Sequence, residues 1–157
     1  LATTANTLVG NTIGMGNLKG VLPLIRRICL LNLGIVVGMM VITLIAPKFW
    51  ISFIAPRDQV SLIGETVAPL VVLLFSLPFS ALGTVAFNSI SGTGNTKIAL
   101  ILECITMVIY ITGMFWIIIY KQMSVAWCWV VEYCYWVPLL ILSVVYLTKA
   151  KWQNKRI

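Results

Sequence analysis

Trp129, Glu132, Tyr133 and Trp136 recur at spacings of three and four, so a helix over this stretch places all four on one face. A carboxylate among aromatic rings can hold an organic cation by ionic and cation–π attraction, or it can carry a coupling proton. Two structural readings stand beside these. Glu132 can be a protonated acid bonded to a neighbouring helix, and Trp127 and Trp129 can belong to an interfacial aromatic belt. Glu132 lies nine residues after Met123. That is about 14 Å along a helix, near the middle of a hydrocarbon core of roughly 30 Å.

Three other acids complete the set. Asp58 and Glu65 fall at a membrane edge, where solvation is expected. Glu103 follows Lys97 by six residues and is expected to pair with it or with a loop base. The chain has no histidine, and Cys29, Cys104, Cys128 and Cys134 form no CxxC pair. Zinc and disulfide chemistry are therefore poorly supported, and buried inert thiols are expected.

The stretch FNSISGTGNTK, residues 87 to 97, invites comparison with a phosphate-cradling loop. A P-loop requires GxxxxGK[ST] between a strand and a helix. Here Gly92 and Gly94 are two apart between apolar runs, and Ile98 follows Lys97, so spacing and context both fail. The stretch reads as a tight turn. Gly94 takes the left-handed conformation that ends one helix, and Asn95 or Thr96 caps the next.

The elements that position these residues are membrane helices. Hydrophobic residues make up 61% of the 157 and charged residues 10%, with a mean hydropathy of +1.03. Soluble domains carry roughly 25% charged residues, so the expected fold class is an all-α polytopic membrane bundle. Runs with at most one charge, at 28–46, 66–96, 98–120 and 123–148, predict four spans, placed over residues 26–46, 66–91, 97–120 and 123–148. Residues 1–18 are expected to be the end of a helix whose beginning lies upstream, and 149–157 a tail.

Eleven basic residues oppose four acidic ones, and their positions follow the loops. Lys19, Arg26, Arg27, Lys97, Lys149, Lys151, Lys155 and Arg156 fall on one side, against Lys48, Arg57 and Lys121 on the other. The positive-inside rule then predicts a cytoplasmic C-terminus in the cell (inner) membrane, and the basic excess orients the protein rather than binding nucleic acid.

Several features along the chain suggest how the helices meet. Ala2, Asn6, Gly10 and Gly14 are four apart and form either a packing seam or a cavity-lining face. Gly34 and Gly38 make a GxxxG step, and Asn32 is expected to bond a neighbouring helix. Phe49, Trp50, Phe53 and Ile54 suit a short interfacial element. Pro69 and Pro78, with Ser80, Gly83 and Thr84, mark the second span as a kinked helix, either structural or moving.

Three stretches carry a family resemblance. SISGTGNTK resembles the cytoplasmic loop signature of the MATE (multidrug and toxic compound extrusion) family, through Gly92, Gly94, Asn95 and Thr96. TLVGNTIGMGN, residues 7 to 17, is similar to the family's segment ending its second and eighth helices. FIAPRDQVSLIGE, residues 53 to 65, is similar to the outer loop after the ninth. The resemblance implies a C-terminal lobe fragment, from late helix eight to helix twelve of a two-lobe transporter, partnered by an N-terminal lobe. It also implies export of small organic cations or drugs by alternating access, coupled to Na+ or H+, with no cofactor and no enzymatic activity.

Two positions depart from the family pattern. Ser80 stands about where the sodium-coupled branch has an acidic residue, and Ser91 replaces the usual arginine before the first glycine. Coupling would then rest on the other lobe or on another carboxylate here, which makes Glu132, Tyr133 and Trp136, with Ser80, the candidate substrate or ion residues. The competing functions are a lobe of a related lipid-linked oligosaccharide flippase, whose cavity would be arginine-lined, and a small four-helix membrane subunit.

Overall fold

The computed structural model describes residues 1–54 and 60–149. Arg57, Asp58 and the tail bases Lys151, Lys155 and Arg156 lie outside the described residues, as does the side chain of Glu65. Six helices follow in order: α1 (Ala2–Gly14), α2 (Val21–Ile45), α3 (Pro47–Ile54), α4 (Val60–Gly92), α5 (Thr96–Met114) and α6 (Val125–Lys149). A 3₁₀ turn, Leu18–Gly20, leads into α2, and a π-helical segment, Phe115–Tyr120, continues α5. Four stretches are long and apolar enough to cross a membrane: Leu18–Ile45, Thr66–Gly92, Thr96–Tyr120 and Val125–Lys149. The all-α, four-span fold class is borne out.

α4 is the hub. It packs most extensively on α6, and then on α1 and α2, while α5 reaches the bundle mainly through α6. Val9, Val21, Ile25, Ala86, Ile90, Ala99 and Leu147 form the core where α1, α2, α4, α5 and α6 converge. Beyond this core the helices turn apolar side chains outward, such as Leu30, Met39 and Ile42 on α2 and Ile101 and Val108 on α5. A surface of this kind is matched to lipid tails, which are as apolar as leucine.

α2 meets its neighbours chiefly through its first turns, where Val21, Ile25 and Ile28 are buried. Farther along, Asn32 Nδ2 donates to the Ala81 carbonyl of α4 at 2.9 Å, the interhelical bond its position predicted. Gly34 and Gly38 face open space, so the GxxxG step carries no helix contact within the described residues. The stretch expected to be interfacial forms the short helix α3, in which Ile51 is buried while Phe49, Trp50 and Phe53 are exposed.

The small-residue face of α1 is displaced from the expected one. Ala5 and Val9 are the buried residues, and Gly14 meets nothing. The close approach is at Gly92 of α4. A Cβ added there would lie 2.6 Å from the Asn6 carbonyl oxygen and 2.9 Å from Val9 Cβ. Gly10 answers it from α1, its own Cβ position being 3.6 Å from the Gly92 carbonyl oxygen. Two backbones touch where two glycines meet.

The turn after Gly92 is built as the sequence predicts. Gly94 has φ +77°, and the Asn95 carbonyl accepts from Ile98 N and Ala99 N at 3.0 and 3.1 Å, opening α5. The capping side chain behaves differently. Asn95 Nδ2 donates to Thr93 Oγ1 at 3.2 Å instead of capping the helix, and Thr96 is exposed. Thr93 and Asn95 are buried, so the turn is folded against the bundle. The cysteines are free, but none is fully buried as expected: Cys29, Cys128 and Cys134 are partly buried and Cys104 is exposed.

Candidate functional site

The loop Lys121–Ser124 is short, so α5 and α6 run antiparallel as neighbours. Gly113 lets them approach closely, its Cβ position lying 3.3 Å from Cys134 Sγ. This hairpin brings together polar and aromatic side chains from both helices. Trp136 Nε1 donates to Glu132 Oε2 at 3.0 Å, one helical turn away. The phenol of Tyr110, on α5, lies against the same carboxylate. Tyr135 stacks edge-on against Tyr110 and Trp136, at 5.9 and 4.8 Å between ring centroids, and its hydroxyl donates to Glu103 Oε1 at 2.5 Å.

Two carboxylates therefore bracket one aromatic seam. Glu132 is seven residues into α6 and Glu103 seven residues into α5, about 10 Å from opposite ends of the pair. Glu132 is shallower than the 14 Å expected because α6 begins at Val125, after Gln122 adopts φ +47° and the Ser124 carbonyl accepts from Trp127 N. No basic side chain pairs with either carboxylate among the described residues. An ionised acidic side chain costs about 2.5 kcal/mol or more at the centre of a membrane helix and less toward its ends, and here indole and phenol donors offset that cost.

The pairing of Glu103 with Lys97 does not form. Six positions turn a helix by roughly 240°, so the two side chains leave α5 on different faces. Tyr135 takes the carboxylate instead.

The predicted face at 129, 132, 133 and 136 divides. Glu132 and Trp136 act together, whereas Tyr133, one residue and about 100° farther round, turns to α4. Its hydroxyl donates to the Val72 carbonyl at 3.2 Å, and its ring meets Phe79 edge-on at 5.8 Å. Ser80 is also apart. Its hydroxyl bonds its own helix at the Leu77 carbonyl, 2.9 Å away, and it lines a cavity of about 260 Å³ between α2 and α4 with Asn32 and Thr43.

Of the proposed hinge residues, Pro69 and Pro78 both lie inside the continuous helix α4, and Pro69 is buried. Proline has no N–H, so Pro78 leaves the Leu74 carbonyl without its ordinary helical donor. Gly83 has a packing role: its Cβ position lies 3.6 Å from the Trp136 ring and backbone, so α6 rests on α4 there. The same indole thus touches the hub helix and holds Glu132.

Sequence reasoning missed Tyr110 and Tyr135 and gave Glu103 the wrong partner. A signal was present. Glu103 and Tyr110 are seven apart on α5, as residues sharing a face would be, and Tyr135 lies opposite them across a short antiparallel hairpin.

Together these features define a multi-pass helical membrane protein in which polar side chains are turned onto helix–helix seams around one central, proline-bearing helix. The MatE family model matches residues 1–116, and the chain belongs to that family, whose members are membrane efflux transporters rather than enzymes. The resemblance carried by the loop motifs is borne out. No curated protein matches the chain, and no solved structure does. The match covers Glu103, Tyr110 and the whole of α4, while Glu132 and its indole partner stand on α6, beyond the matched residues.

Proposed function

We propose that the chain is the rear part of one lobe of a cation-coupled antiporter that exports small organic cations or drugs by alternating access. Its coupling ion is a proton or Na+, and an N-terminal lobe completes the cavity. The observation that carries this reading is the Glu132 carboxylate, set in a membrane helix between the Trp136 indole and the Tyr110 phenol with no base beside it among the described residues. A carboxylate so placed can exchange a proton or a cation without breaking an ion pair. Glu103, bonded by Tyr135 toward the other end of the seam, supplies a second exchangeable group.

The test is flux in sealed vesicles containing the purified transporter. An imposed proton or sodium gradient is expected to drive a cationic dye against its own gradient, and collapse of the ion gradient to stop it. Dye movement indifferent to both gradients would overturn the coupling.

The orientation proposed is that of the basic asymmetry, with the C-terminus in the cytoplasm of a cell (inner) membrane. With native cysteines removed, a cysteine at the exposed Gly94 is expected to be shielded from an impermeant thiol reagent outside intact cells. One at the exposed Gln122 is expected to react. The reverse pattern would invert the topology.

α4 is proposed to bend at Pro78 during transport. Alanine there restores an N–H that can bond the Leu74 carbonyl and stiffens the helix, an effect of about 3 kcal/mol in a helix interior. Pro78→Ala is expected to slow export while leaving the amount of protein in the membrane unchanged. Export at the parent rate would make Pro78 a packing residue.

A further inference from the structure

Between α2 and α6, with α4 as its floor, runs a groove of about 540 Å³. Ile25 and Cys29 form one wall, Leu140 and Val144 the other, and Ala86 the base. The groove is apolar along its length and changes character only at one end, where Arg26 and Thr148 line it. Thr148 is one residue from the α6 end and Arg26 five residues, about 7.5 Å, into α2, so this is the end of the groove nearer the headgroups, toward which the long Arg26 side chain can extend. Arg26 is exposed and also borders a neighbouring open hollow of about 490 Å³ with Arg27.

The charge at that end is uncompensated. Among the described residues no carboxylate pairs with Arg26, and the carboxylates of Glu103 and Glu132 are engaged on the α5–α6 seam. From Leu140 to Thr148 is eight residues, so the α6 wall runs about 12 Å down the membrane from Thr148. A hydrocarbon slot with a single cationic group at its headgroup end is complementary to one chemistry: an acyl chain carrying a negatively charged phosphate. Basic pockets between membrane helices hold anionic lipid headgroups in this manner.

We infer that this groove is a binding site for an anionic phospholipid, its acyl chain lying between α2 and α6 and its phosphate on Arg26. The groove shares none of its lining residues with the α5–α6 seam, and the site does not depend on the transported substrate. It would tie α2, which packs on the bundle mainly through its first turns, to α6.

The experiment equilibrates the purified transporter with phosphatidylcholine bicelles containing phosphatidylglycerol and counts the retained lipids by mass spectrometry. The parent is expected to retain phosphatidylglycerol on the order of fivefold over its share of the mixture, as one basic contact provides. Arg26→Gln, at an exposed position, is expected to lose that preference while still retaining lipid. Lys19→Gln, which removes an equal charge away from the groove, is expected to keep it. Val144→Trp, which fills the slot from a partly exposed position, is expected to retain neither lipid. The inference is overturned if the parent retains the two lipids in proportion to the mixture, or if Arg26→Gln keeps the preference. It is equally overturned if Val144→Trp binds as the parent does, or if the parent retains no lipid because another helix fills the groove.

Discussion

Replacing Gly92 by alanine is expected to separate α1 from α4 and to destabilise the bundle by about 3 kcal/mol or more, at or above the upper end of ordinary overpacking. The reason is geometric. The new methyl would sit 2.6 Å from the Asn6 carbonyl oxygen, a backbone atom that no rotamer change can move, and 2.9 Å from Val9 Cβ. Relief requires shifting one helix away from the other, which opens the core that Val9 shares with Ile90 and Ala86. Gly94→Ala, two residues on, is the informative control. Its site is exposed, and the cost is that of holding alanine at φ +77°, roughly 1–2 kcal/mol. Thermal melting of the two purified variants should therefore rank Gly92→Ala well below Gly94→Ala. Equal melting would refute the backbone contact.

That contrast shows where the sequence was legible. The turn was readable because a glycine before Asn95 and Thr96 at a helix junction has a local signature. The Gly92 contact was not, because its cause is the helix carrying Asn6 and Val9, far upstream in the chain. The four spans were plain, since hydropathy reports membrane crossing directly. Which face of each span meets protein was much less so. In a soluble helix the buried face is the apolar one, but here both faces are apolar and lipid and protein look alike to the pattern. This is why Gly34 and Gly38 suggested a contact that does not form among the described residues, and why Ala5 and Val9, not Gly14, carry the seam of α1.

The site was half legible for a similar reason. Spacing put Glu132 and Trp136 together correctly, since residues four apart on a helix meet. Tyr133 was grouped with them by proximity in sequence, but a single residue step carries it to α4 and Val72. The partners of the carboxylates come from the facing helix, and only the hairpin geometry brings Tyr110 to Glu132 and Tyr135 to Glu103.

The second large effect is expected at Glu132 itself. Glutamine keeps the side chain's size and still accepts from the Trp136 indole, so the seam should pack as before while the group can no longer titrate or balance a cation. Losing one charge-assisted interaction of about 1.5–3 kcal/mol corresponds to a loss of roughly tenfold or more in coupled export. Tyr133→Phe, which removes a hydroxyl bonded to α4 but leaves the carboxylate alone, is expected to spare the pH dependence. A defect confined to Glu132 would separate coupling from packing.

The most direct measurement is the rate of cationic dye export against pH, in the same vesicles, for the parent and for Glu132→Gln at matched protein amount and matched melting temperature. The parent should export in a pH-dependent manner. The variant should be roughly tenfold slower or worse, with a flattened pH profile. Export by Glu132→Gln at the parent's rate and with the parent's pH dependence would contradict the account and leave Glu132 a packing residue.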